Sequence, residues 1–104
     1  MPTREWRRVL DYVTGARLVI RYTHERGVII DYAVVLVLAH DGAEQTIRVY
    51  DGAHGVNDLH RHTRSRGKAS AEQFHGGTLA EGMRIAVEAI ETGYREMIDG
   101  WRTS

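Results

Sequence analysis

The chain has 104 residues, no cysteine, and 14 basic against 14 acidic side chains. That length supports one core. The lack of cysteine excludes disulfides and thiolate zinc sites, and a formal charge of zero excludes polyanion binding by bulk charge, so any nucleic-acid affinity must come from a local patch. Neither a secretory leader nor a membrane span is expected: Thr3 to Arg8 is polar and basic, and the longest apolar run, Val28 to Ala39, is 12 residues and contains Asp31. The expectation is one soluble, cytoplasmic domain over residues 1–104.

Residues 3–13 place Trp6, Val9, Leu10 and Val13 at i, i+3, i+4 and i+7, with Arg4, Arg7, Arg8 and Asp11 on other sides. This spacing predicts a short amphipathic helix. A strand over the same residues would put Arg8 among Trp6, Leu10 and Tyr12, and is disfavoured for that reason. From Ala16 the period becomes two, with Leu18, Ile20 and Tyr22 facing one way and Arg17, Val19, Arg21 and Thr23 the other. Arg26-Gly27 makes a turn. Val28 to His40 follows as a strand apolar on both faces, which predicts a central strand. Asp41-Gly42 signals a tight hairpin, and Glu44 to Asp51 returns as the third strand. Because a strand apolar on both faces needs two covers, a homodimer is expected where the helices do not supply the second.

Residues 52–77 show no clear period and read as one long His- and Arg-rich loop. Thr78-Leu-Ala-Glu81 has the form of a capping box, and a helix over 78–99 follows. It carries Leu79, Met83, Val87, Ile90, Tyr94, Met97, Ile98 and Trp101 on one broad face. Gly82, Ala86, Ala89 and Gly93 run along one flank, and glycine inside a helix costs roughly 1 kcal/mol against alanine. Such a track predicts that something approaches the backbone closely. The elements add up to an α+β domain: a three-stranded antiparallel meander over 16–51, a long C-terminal helix and a short N-terminal helix.

The stretch Val49 to Lys68 gathers Asp51, His54, Asp58, His60 and His62 with Arg61, Arg64, Arg66 and Lys68. His60 and His62 are two apart, so an extended chain points both to one side. Two chemistries fit. In one, His60 and His62 share a divalent metal, and a third ligand from Asp51, His54 or His75 leaves an open position. In the other, no cofactor is needed: one of His54, His60 and His62 removes a ribose 2′-hydroxyl proton, another protonates the leaving oxygen, and Asp51 orients an imidazole. Arg61, Arg64, Arg66 and Lys68 would then hold phosphate, and Tyr50 would stack a base or donate a proton. Against both stands an ordinary solvated basic loop.

At Tyr50-Asp51-Gly-Ala-His54-Gly, followed by Asp58-Leu-His60-Arg-His62, the chain resembles the small TumE family of toxin components from prokaryotic toxin-antitoxin pairs. In that pattern a strand ends in Tyr-Asp-Asn, a glycine-containing turn follows, and a His-x-His pair comes next. The chain departs from it in having Gly52 where the pattern has asparagine. The resemblance implies a meander followed by a helix, and a helix-turn-helix antitoxin as partner. The expected function is a toxin-like protein acting on RNA as a ribonuclease. The alternatives are a non-enzymatic dimeric binding module and a His-ligated metal-dependent enzyme.

Overall fold

The computed structural model describes residues 2–104. Seven antiparallel strands and one helix follow one another: β1 (Thr3–Asp11), β2 (Ala16–Glu25), β3 (Val28–His40), β4 (Ala43–Asp51), β5 (Asn57–Thr63), β6 (Gly67–Lys68), β7 (Glu72–His75) and α1 (Leu79–Arg102). The sheet runs β1-β2-β3-β4-β5-β6, and β7 pairs with the same edge of β5 a little further along. It curls into a half-barrel with the helix in its hollow. The expected three-stranded meander with an N-terminal helix is therefore corrected in two places.

The first correction is at residues 3–13. They form an edge strand in continuous register with β2, from Thr3 opposite Thr23 to Val9 opposite Arg17. The objection to a strand was Arg8 on the apolar side. Arg8 does lie there, opposite Leu18, and its guanidinium reaches across the open end of the hollow to Glu91 on α1. A long cationic stem can cover apolar surface while its head finds a carboxylate. Trp6 packs edge-on against Tyr22, with ring centroids 5.7 Å apart. Helical and alternating periods both fit these residues, and the unpaired edge of β2 selects the second.

The second correction is at residues 52–77, expected as a loop. Only Gly52 to Val56 forms the hairpin turn. β5 pairs with β4, from Asp58 opposite Asp51 to Arg61 opposite Arg48. The alternation was present, but inward positions occupied by Asn57 and Arg61 hid it from a hydrophobicity reading.

Both tight turns carry positive φ at their two central residues, Arg26-Gly27 and Asp41-Gly42, the geometry that matches strand twist in a two-residue hairpin. The core lies between sheet and helix: Leu18, Tyr32, Val34, Leu36, Leu38, Ile47, Tyr50 and Leu59 meet Ala86, Ile90, Ile98 and Trp101. On the opposite sheet face Val19 and Val37 are only 9% and 7% exposed with no second layer over them. That face leaves less apolar surface uncovered than the pattern of β3 suggests. No helix among the described residues is long and apolar enough to cross a membrane.

The start of α1 is fixed by a buried polar cluster. Thr78 caps the helix and Glu81 closes the capping box. Asn57 is 1% exposed. It accepts a 2.7 Å hydrogen bond from the Tyr32 hydroxyl and donates to the carbonyls of His75, Gly77 and Thr78. A Cβ at Gly82 would overlap the Asn57 carboxamide, and one at Gly52 would lie 2.9 Å from both Leu79 Cδ2 and Tyr32 Cε1. The close approach expected of the small-residue flank is real at Gly82, where Asn57 fills the space. Gly93 meets only the end of Met97.

Candidate functional site

The β4-β5 hairpin turns the 49–68 stretch into a surface. Asp51 and Asp58 are direct cross-strand neighbours, and His60 stands opposite Val49, two pairs along. His60 Nε2 lies 3.4 Å from Asp51 Oδ2, with the two side chains 12% and 17% exposed. His60 Nδ1 is buried without a hydrogen-bond partner. The nitrogen available to an incoming group is therefore Nε2, the one beside Asp51. Tyr50 and Leu59 face the helix, so by alternation Asp58 and His60 occupy the other face of β5.

His62 stands opposite Lys68 of β6. Burial, then the nearby positive charge of Lys68, then His60, hold its imidazole below the usual histidine range. It is therefore biased to the neutral form near pH 7. His54 sits exposed in the hairpin turn, one residue before Gly55, and is not drawn into the pair. His75 belongs elsewhere, with Nε2 3.5 Å from Glu81 at the helix start. Among the described residues no group of three or more His, Asp or Glu is placed to hold a metal ion.

The cations divide into engaged and free. Arg61 pairs with Glu72 on β7. Arg64 lies over the Trp101 ring, 5.8 Å from its centroid, and its backbone N–H donates to Ser104 Oγ at 2.7 Å. Arg66 and Lys68 are exposed, and neither makes an ion pair among the described residues. Tyr50, expected to stack a base, is 5% exposed and packs edge-on against Phe74 at 5.1 Å. Its ring has no free face to offer.

Asp58, grouped with these residues in the sequence but given no role there, stands directly opposite Asp51 now that residues 57–63 form a strand. One further group escaped the sequence reading. Arg48 faces the helix side, opposite Leu36 of the core, and its Nε is buried without a partner. A cation between Ile47 and Val49 was the available signal.

The fold and this surface define a small curled-sheet domain with one helix and a histidine-bearing basic edge. The chain belongs to the family described as a domain of unknown function, DUF7718, whose pattern matches residues 1–103. No curated protein and no solved structure matches it.

Proposed function

We propose that the protein acts on RNA, gripping phosphates along the β5-β6 edge and transferring a proton through His60. The observation that carries this reading is the Asp51–His60 pair at 3.4 Å, standing on the same hairpin as His62 and beside the free cations Arg66 and Lys68. Histidine exchanges protons near neutral pH, and a neighbouring carboxylate holds the imidazole and favours its charged form in a transition state. Exposed arginine and lysine supply the counter-charge for phosphodiester oxygens.

Labelled single-stranded RNA tests both halves. Binding should weaken steeply with salt, and Arg66→Ala or Lys68→Ala should each flatten the log–log salt slope by roughly 0.7 for each phosphate no longer neutralised. Cleavage measured with a chelator present should fall at least a hundredfold in His60→Ala, with binding retained. RNA binding absent at low salt would end the proposal. The toxin role implied by the TumE resemblance belongs to it as well: expression should arrest bacterial growth, and His60→Ala should relieve the arrest.

A second reading, binding without chemistry, is favoured by the exposed His54 lying outside the Asp51–His60 pair. Salt-sensitive binding with no cleavage, unchanged by His60→Ala, is its signature.

A further inference from the structure

The far end of the helix holds a second, separate arrangement. A pocket of about 230 Å³ lies between the last turns of α1, the middle of β4 and the end of β5, lined among others by Arg48, Arg61, His62, Thr63, Trp101 and Ser104. Its polar inventory is unbalanced. Arg48 Nε and His62 Nε2 are both buried with no hydrogen-bond partner. Arg48 has no carboxylate within ion-pair distance among the described residues, although Glu96 also lines the pocket. The one carboxylate that does serve a lining cation, Glu72, is taken by Arg61.

Buried polar groups in folded proteins are nearly always paired, and an orphaned guanidinium nitrogen calls for an acceptor that the chain does not supply. The donors are of the kind that binds tetrahedral oxyanions: an arginine fork, which meets two oxygens at once, an imidazole and the Thr63 hydroxyl, the Ser104 hydroxyl being given to the Trp101 carbonyl. The volume suits a small anion with its waters, since one water takes about 30 Å³. It is too small for a stacked base, and Trp101 is 7% exposed and already covered by Arg64.

We propose that this pocket binds a phosphate group, carried by inorganic phosphate or by a phosphate monoester, with Arg48 as its central ligand. The site does not depend on the RNA reading. His62 borders both sites, but Arg48, the central ligand, faces the helix, whereas the Asp51–His60 pair is on the other face of the sheet.

The chain has two tryptophans, so a Trp6→Phe background leaves Trp101 as the sole fluorophore at the pocket. Titration at constant ionic strength with inorganic phosphate should change its emission saturably, whereas chloride should not. Adenosine 5′-monophosphate binding at least tenfold tighter than inorganic phosphate identifies a monoester ligand, and equal affinity identifies the free ion. Arg48→Met should weaken binding at least tenfold. Arg61→Met should weaken it only a few-fold, because Glu72 already engages that cation. Arg84→Met, which removes the same charge from an exposed position on α1, should change nothing. No saturable response from either ligand in the wild-type background overturns the proposal, and so does an Arg48→Met protein that binds as tightly as the parent. If Arg48→Met does not fold, Arg48→Lys decides in its place: it keeps the charge but loses the fork, and parental affinity there is equally fatal.

Discussion

The two ends of α1 differ in how far their buried polar groups are satisfied. At the start, Asn57 makes four hydrogen bonds, to Tyr32, His75, Gly77 and Thr78, the capping box satisfies the N–H groups of Thr78 and Glu81, and the one buried atom without a hydrogen bond, His75 Nε2, lies 3.5 Å from the Glu81 carboxylate. At the finish, Arg48 Nε and His62 Nε2 have no partner among the described residues. A satisfied cluster fixes geometry. An unsatisfied one raises the energy of the free protein and has something to gain from a ligand. The contrast separates the part of the chain that builds the fold from the part that has bonding capacity left over.

The comparison can be broken most forcefully at the satisfied end. Asn57→Ala takes the acceptor from the buried Tyr32 hydroxyl and the side-chain donor from the Gly77 carbonyl, and Gly82→Ala drives a methyl into the carboxamide. Each should cost about 2–4 kcal/mol in urea unfolding. Gly52→Ala places a methyl 2.9 Å from Leu79 and Tyr32 carbons, and overpacking of that kind costs about 1–3 kcal/mol. Removing the cap with Thr78→Ala should cost about 1 kcal/mol. At the unsatisfied end Arg48→Met should leave stability in phosphate-free buffer equal to the parent or higher, because it deletes a half-buried guanidinium whose buried Nε has no partner. A loss as large as that of Asn57→Ala would show that Arg48 is structural and that the contrast between the ends is false.

The smallest effects lie on the surface. Glu44 bridges Arg7 and Arg17, and Glu44→Ala should change stability by less than about 1 kcal/mol. The pH dependence has a definite sign. The Thr78 backbone N–H, then the side chains of His75 and Thr78, hold the Glu81 carboxyl below its ordinary value of 4.5. A carboxyl lowered on folding adds stability that is complete above that ordinary value and is lost as pH falls through the lowered one. Glu81→Gln keeps the shape of the cap but cannot titrate. Its stability should fall less steeply than the parent's on acidification, as followed by circular dichroism.

Much of this was legible in the residues. Two-residue alternation placed β2, the long apolar run placed β3, the Arg26-Gly27 and Asp41-Gly42 turns set the hairpins that bring back β3 and β4, and Thr78 with Glu81 marked the start of α1, because these signals are local and need no partner to operate. The direct contact between Asp51 and His60 was legible as a grouping, since both lie in one short stretch. What local signals could not decide was where long-range pairing overrides them. The helical spacing of Trp6, Val9, Leu10 and Val13 yields to the open edge of β2, and Arg8 is tolerated on the apolar side because Glu91, far along the chain, lies across from it. Asn57 and Arg61 interrupt an apolar alternation, yet β5 forms because β4 and β7 supply its ladder. Burial is likewise a property of the assembled molecule: the fold closes Phe74 over Tyr50 and removes it from any ligand, and it buries Arg48 Nε without an acceptor. Residue types determined which chemistries the chain can offer, and only the packing of distant strands against one helix decided which polar groups are satisfied and which are left with capacity to bind.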